Sequence, residues 1–320
     1  MAPRLSEVVN YVERPGKILT LKNLLLHGDE PVSITTALQG SGGFGKTTLA
    51  NALCNDEDII LAIYRGILWV TLGQQKGSAL TALQKLYDAI GIEKKTFLDV
   101  EQAQHELKDK LVGKNYLLVL DDAWHRVDVE DIIAATTGCA VLITTRMDRL
   151  MLHSRQEQVD EMTAEEAVRL LSRYAGIEYT TDSQLSSLAQ KLGYWALLLK
   201  LVGAQLKARM DEGESIGQAI LYVNKRLEKK GLTGFDMSDA ERRNDSVTIC
   251  LQASIELLES HEQEKLYGLG IFPEDENIPF QVLEKYWEMD DDDCEDFLDK
   301  KLHKLGLVDL DLPNKNTFHA

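Results

Sequence analysis

Ile34-Thr35-Thr36-Ala37-Leu38-Gln39-Gly40-Ser41-Gly42-Gly43-Phe44-Gly45-Lys46-Thr47-Thr48 is the stretch on which the fold turns. Residues 34–38 form a β-rich apolar run, and a helical pattern starts at Lys46 and continues to residue 54. Residues 40–47 fit G-x-x-x-x-G-K-[ST] without deviation, between a strand and a helix, which is the context that pattern requires. The glycines let successive backbone amides, those of Gly42, Gly43, Phe44 and Gly45 among them, turn inward as an anion nest. The N-terminus of the following helix adds its positive dipole end. A bound nucleotide is therefore expected. Lys46 would contact its β- and γ-phosphates, Thr47 would place its hydroxyl on Mg²⁺, and Thr48 would reach the α-phosphate.

Outward from this loop, runs at 67–71, 116–120 and 141–145 join 34–38 as candidate strands. They are nearly continuous apolar runs, as expected for parallel strands covered on both faces. Helical patterns at 46–54, 79–90 and 100–112 lie between them. This alternation predicts an α/β fold with a doubly wound parallel sheet. Two of the runs end in charge. Asp121 and Asp122 follow 116–120 at the carboxyl end of a strand, where such sheets bind ligands. Asp121 is the expected Mg²⁺ partner through water, and Asp122 the group that polarises an attacking water. Arg146 follows 141–145, and its fixed fork of donors suits a terminal phosphate. The blander alternatives are a solvated acidic turn and a plain surface arginine. On the sharper alternative, Lys46, Asp121, Asp122 and Arg146 form the catalytic set, with Thr47 and Asp121 on the metal.

The pattern changes after Met162. Thr163-Ala164-Glu165-Glu166 is a capping box, followed by Leu170, Leu171 and Tyr174 at helical spacing and by Gly176 as a stop. Leu185, Leu188 and Leu192 mark a second helix ended by Gly193, and a third runs over 197–210. From Ala240 a further unit begins. Val247, Leu251, Ile255 and Leu258 mark one helix; Phe280, Leu283 and Trp287 mark another, with Pro279 near its first turn; Phe297, Leu298, Leu302 and Leu305 mark a third, stopped by Gly306. A strand over 307–312, a turn at 313–316 and a returning strand from Thr317 complete a winged-helix pattern. The expected domains are 1–162 (α/β, nucleotide-binding), 163–239 (helical) and 240–320 (winged helix). The chain stops within the returning strand, which suggests a fragment of a longer protein.

Bulk properties narrow the partners. A net charge of −17 argues against nucleic-acid binding, and the carboxylates between Glu284 and Asp299 would repel phosphate, so the winged helix is expected to face protein. No apolar run reaches the length of a membrane span, and the N-terminus has no secretory apolar core, so a cytoplasmic location is expected. The four cysteines and seven histidines show no metal-type spacing; unpaired, buried thiols are expected.

The loop, the acids and Arg146, in this order, resemble the NB-ARC family of signal-transducing NTPases. Tyr11-Val12-Glu13-Arg14 resembles that family's opening motif, which implies that Val12 and Arg14 help recognise adenine. Ile67-Leu68-Trp69-Val70 resembles the strand after its first helix, and Ile271-Phe272-Pro273-Glu274-Asp275 its winged-helix element. Phe318-His319 falls where the family has Met-His-Asp, which implies His319 on the β-phosphate of ADP. Gly193-Tyr194-Trp195-Ala196-Leu197 stands where the family has Gly-Leu-Pro-Leu. Gly193 and Trp195 are thereby placed near the base, with Trp195 either stacking on adenine or packing between helices. Ala320 replaces the family's acid after the histidine. The resemblance implies ADP or ATP with Mg²⁺, a closed ADP form, and an open ATP form that meets protein partners and oligomerises. A slow switch ATPase is the expectation. An AAA-like motor is the alternative, although Asp122 stands where a motor normally has Glu. A phosphotransferase would need an acceptor pocket for which no marker is present.

Overall fold

The computed structural model describes residues 10–27, 30–35, 42–63, 65–91, 95–147, 150–151, 154–232, 240–272, 278–310 and 317–319. Residues 36–41, with Gly40 and Ser41 of the loop, lie outside these, as do 273–277, 311–316 and Ala320. Two compact units divide the chain after Asp160, with residues 10–12 grouped with the second.

The first unit holds a five-stranded sheet in the order β2-β3-β4-β1-β5. Its strands are β1 (Val32–Thr35), β2 (Gly66–Gly73), β3 (Tyr116–Ala123), β4 (Ala140–Thr145) and β5 (Arg155–Gln158). Every neighbouring pair is parallel. The helices are α1 (Pro15–Leu26), α2 (Lys46–Cys54), α3 (Glu57–Ala62), α4 (Ala79–Ala89), α5 (Val100–Leu111) and α6 (Arg126–Ala135). Pro15 opens α1, and carboxylates of Asp56 and Asp99 cap α3 and α5 by accepting from backbone amides. Leu68, Val70 and Leu72 of β2 pack with Leu118 and Leu120 of β3, Leu83 and Leu86 of α4, Leu107 and Leu111 of α5 and Ile132 of α6 in one core.

Three sequence expectations are corrected here. First, β2 is not covered evenly on both faces: as an edge strand it alternates buried and half-buried residues. Second, β3 does not stop before the acids. It runs through Asp121 and Asp122 to Ala123, with a register shift against β4 and a positive φ of 47° at Asp122. Bulges of this kind re-aim a side chain at a strand end. Third, β1 starts at Val32, ahead of the expected 34.

The second unit begins with α7 (Ala164–Ala175), α8 (Ser183–Lys191), α9 (Ala196–Asp211) and α10 (Ile216–Lys229). The Thr163–Glu166 capping box forms, and Gly176 ends α7 in the left-handed conformation. No helix is expected from the sequence where α10 lies, and its start is another reciprocal cap between Ser215 and Gln218. Leu198, Leu199, Leu201, Val202 and Leu206 are all buried, so α9 is covered almost all round. It approaches α7 closely: a Cβ on Gly203 would lie 2.6 Å from Tyr174 Cβ and 3.1 Å from the Leu171 carbonyl oxygen.

Next come α11 (Ala240–Ile255), α12 (Ser260–Gly268), α13 (Phe280–Trp287) and α14 (Asp291–Asp296), which continues as a π-helical stretch over Phe297–His303. The buried face of α11 is Ser246, Cys250, Ala253 and Ser254; of the expected Val247, Leu251, Ile255 and Leu258, the first three are half-buried and only Leu258, past the helix end, is buried. The reason is polar: Gln205 of α9 donates to Ser254 Oγ at 3.1 Å and to the Cys250 carbonyl at 3.4 Å, drawing that face inward. The sequence reading also passed over α12. A small antiparallel sheet, order β6-β8-β7, joins β6 (Ile278–Pro279), β7 (Asp309–Leu310) and β8 (Thr317–His319). Trp287, Phe297, Leu283, Leu298 and Leu302 make its accompanying core. All four cysteines are free; Cys54, Cys250 and Cys294 are buried as expected, Cys139 is only half-buried, and burial pushes the thiols of Cys54 and Cys250 up to about 12.

The close approach at Gly203 yields a prediction. Gly203→Ala should destabilise the protein by about 1–3 kcal/mol through overpacking. Gly16→Ala, at an open position of α1, should be neutral or slightly stabilising. Urea unfolding of both variants checks this, and equal midpoints would contradict the packing account.

Candidate functional site

Backbone conformation builds the loop first. Gly43 and Gly45 take φ values of 76° and 88°, in the left-handed region, and Gly45 caps α2. Phe44 is buried and anchors the loop beneath. Arg14 is buried beside it and donates from Nη1 to the Phe44 carbonyl at 3.4 Å and from Nη2 to the Asp160 carbonyl at 3.5 Å. In this unit, then, the arginine expected near adenine braces the loop that precedes α2. Thr47 is exposed and Thr48 half-buried on the first turn of that helix.

Lys46 opens α2 and is buried. Burial, and then the neighbouring charge of Arg146, push its ammonium down to about 8, against the pull of Asp122, Asp121 and Asp160. A phosphate would oppose both effects, because a nearby anion favours the charged form.

Asp121 is also buried, at the end of β3. Its Oδ1 accepts from the Thr47 hydroxyl at 2.9 Å and from the Thr144 hydroxyl at 2.5 Å. Thr144 in turn accepts from the amide of Asp122 at 2.9 Å. One buried hydroxyl on β4 thus orients both acids. In the sequence Thr144 lies inside the strand that precedes Arg146, and its signal there is a polar residue facing the core of a parallel strand. A hydroxyl and a carboxylate in contact are a sparse, hard oxygen set. That fits Mg²⁺, which keeps several waters and takes its remaining ligands from phosphates. Among the described residues no group of three or more His, Cys, Asp or Glu side chains is arranged for a metal.

Arg146 follows β4, next to β1 in the sheet. Its Nε lies 3.4 Å from Asp122 Oδ1, and its guanidinium sits over the Trp124 ring at 5.4 Å from the centroid. Trp124 Nε1 donates to Asp122 Oδ2 at 2.8 Å. The guanidinium also lies against the loop: a Cβ at Gly42 would meet Nη1 at 3.1 Å. Trp124 is a residue that sequence reasoning missed.

Lys46, Thr47, Asp121, Asp122 and Arg146 therefore converge beside Gly42–Gly45. Arg14 and Thr48 belong to the same unit, whereas Val12, Gly193, Trp195 and His319 belong to the second. Val12 is buried there. Gly193 and Tyr194 both take positive φ, 62° and 53°, in the turn between α8 and α9, and Trp195 is buried at the start of α9. His319 lies on β8, with its backbone paired opposite Asp309.

A parallel sheet of this order, with a glycine loop opening α2 and acids ending β3, is the α/β fold of P-loop NTPases. The NB-ARC domain profile matches residues 16–180, more than half of the chain, and the chain belongs to the NB-ARC family. It is similar to a probable disease resistance protein of Arabidopsis thaliana, 28% identical over 280 residues that cover 81% of this chain and 31% of that protein. It is also similar to apoptotic protease-activating factor 1 of Homo sapiens, 26% identical over 318 residues that cover 91% of this chain and 24% of that protein. The chain spans about a quarter to a third of the length of these relatives. Among solved structures, a signal transduction ATPase with numerous domains (STAND) and a tetratricopeptide repeat sensor, from Pyrococcus horikoshii, aligns with a TM-score of 0.56 at 16% identity. The alignment covers 100% of this chain and 42% of that one, a likeness of fold. Among the described residues no helix is long and apolar enough to cross a membrane.

Two predictions follow the geometry. The Lys46 ammonium is pushed down to about 8, and a bound phosphate would raise that value. Nucleotide binding should then take up protons above pH 8. Affinity should be flat below pH 8 and fall as pH rises past it, which calorimetric titration across pH 6.5–9.5 measures; constant affinity would contradict the assignment. Thr144→Val removes the hydroxyl that orients Asp121. The Mg²⁺ concentration needed to support nucleotide binding should rise about 10-fold or more, and an unchanged Mg²⁺ midpoint would show that the hydroxyl is dispensable.

Proposed function

We propose that this chain is an adenine-nucleotide switch in signal transduction, closed with ADP and open with ATP, and that slow hydrolysis returns it to the closed state. The observation that supports this reading most is the gathering of Lys46, Thr47, Asp121, Asp122 and Arg146 on one side of a glycine loop. Backbone amides of Gly42–Gly45 and Lys46 hold the phosphates, and Thr47 with Asp121 holds Mg²⁺. Arg146 senses the γ-phosphate. Asp122 polarises a water whose oxygen bonds to the γ-phosphorus as the bond to the β–γ bridging oxygen breaks. That bond's electron pair leaves with ADP, and the water's proton passes through Asp122 to the phosphate.

Both oxygens of Asp122 already have partners, Arg146 and Trp124. A base held this way supports slow turnover better than the rapid cycling of a motor. In the second unit we assign 163–239 as a helical domain and 240–320 as a winged helix, with α11–α14 and the β6-β8-β7 sheet as the support for it. Val12, Arg14, Gly193 and Trp195 are proposed around adenine, and His319 on the β-phosphate of ADP. ADP held by loop and histidine together would favour closure, and a γ-phosphate on Arg146 would favour opening, because a ligand shifts an equilibrium only through differential contacts. Oligomerisation of the open form, with protein rather than nucleic-acid partners, belongs to the same proposal.

The purified protein should carry ADP that is released on denaturation, as chromatography of the denatured supernatant would show. An empty site combined with fast steady-state turnover would overturn the switch reading. Lys46→Ala should weaken nucleotide binding about 10- to 100-fold, the value of a charged hydrogen-bond partner. Asp122→Asn should keep binding while slowing hydrolysis by about 100-fold or more. Equal single-turnover rates in that variant and the wild type would remove Asp122 from the chemistry.

A further inference from the structure

The proposed function gives Asp122 and Arg146 separate tasks, yet the structure holds them together, and a third residue holds both. Trp124 follows Asp122 by two positions, past the bulge at the end of β3. Its indole Nε1 donates to Asp122 Oδ2 at 2.8 Å. Its ring lies beneath the Arg146 guanidinium, with Cζ 5.4 Å from the centroid. Arg146 Nε closes the triangle at 3.4 Å from Asp122 Oδ1. The positive φ of Asp122 turns that residue out of the regular strand path, so the triangle rests on a backbone position that bulky L-residues seldom adopt.

The arrangement is lopsided in a useful way. An aromatic face attracts a guanidinium, and a carboxylate attracts it more strongly; neither holds it as well as a phosphate that accepts from its planar fork. Arg146 is already against Gly42, so the step from Asp122 to a γ-phosphate in the loop is short. A diphosphate leaves the triangle intact. A triphosphate competes for the guanidinium, and once Arg146 moves, Asp122 Oδ1 is released to accept a water proton while Oδ2 stays fixed by the indole.

We propose that Trp124 is a positioning residue: it keeps Arg146 latched on Asp122 until a γ-phosphate draws the guanidinium away, and it then holds the freed carboxylate in place. The inference rests on the nucleotide reading given above and adds the coupling between sensing and activation.

Two measurements on the whole chain test it. The first is intrinsic tryptophan emission, because a cation leaving the face of an indole shifts its emission. Addition of Mg²⁺ with a non-hydrolysable ATP analogue should change the emission of the wild type beyond the change that Mg²⁺–ADP gives, since Trp195 would report the adenine common to both nucleotides. The analogue-specific change should vanish in Trp124→Phe, which keeps a ring but not the indole, and in Arg146→Ala, which keeps the indole but not the cation. The second is the ratio of analogue affinity to ADP affinity. Trp124→Leu, which loses both ring face and donor, makes Arg146 easier to move, so the ratio should rise about three- to tenfold. Trp124→Phe should raise it less, since a ring face remains. Equal changes for ADP and the analogue, in emission or in affinity, would overturn the latch and leave Trp124 as packing. A wild type that binds neither nucleotide would overturn the nucleotide reading and the latch with it, and is distinguished by the absence of any binding signal in calorimetry.

Discussion

Two cations share the mouth of one loop. Lys46 is buried at the start of α2, and the neighbouring charge of Arg146 is the second largest cause, after burial, of its lowered proton affinity. Like charges at close range in a partly dry site cost free energy unless an anion lies between or beside them. The protein's own acids supply part of the compensation: Asp122 pairs with Arg146, and Asp121, Asp122 and Asp160 all pull on Lys46. A polyphosphate would supply the rest. The charges at this site suit an anion, and the sheet order explains how: β4, which ends just before Arg146, runs directly beside β1, which precedes the loop in sequence.

The acids are arranged by a second layer. Thr144 links the Asp121 carboxylate to the Asp122 amide, and Trp124 fixes the far oxygen of Asp122. Such supports are worth as much as the ligands they orient, because a carboxylate turned by one rotamer no longer meets metal or water. The bulge at the end of β3 permits both. A regular strand would send Asp121 and Asp122 to opposite faces, and here the register slip and the positive φ bring the second acid towards β4 and Arg146.

Much of this was readable in advance, and the exceptions have physical causes. The loop from Gly42 to Thr47 and the helix over 46–54 follow from glycine chemistry and a specific pattern, and α2 spans those residues. The capping box at Thr163 is local, so the sequence reveals it directly. By contrast, β5 is Arg155-Gln156-Glu157-Gln158, without one apolar side chain. It pairs with β1 and is tied to α1 through a 2.7 Å contact between Lys17 and Glu157 and a hydrogen bond from Arg155 to the Leu24 carbonyl. No periodicity signals a strand held by partners far away in sequence. The face of α11 was misjudged for a similar reason, since Gln205 reaches it from α9. Thr144 and Trp124 were passed over because their roles depend on a bulge, and a bulge is a relation between strands.

The central claim is that the amides at the start of α2 hold nucleotide phosphate, and amide hydrogen exchange with and without ADP tests it most directly. Exchange of the backbone amides from Gly42 to Thr48 should slow markedly on addition of Mg²⁺–ADP in the wild type and slow much less in Lys46→Ala at a nucleotide concentration near the wild-type Kd. Unaltered exchange over Gly42–Thr48 in a wild-type sample saturated with ADP, with protection appearing elsewhere in the chain, would contradict the account.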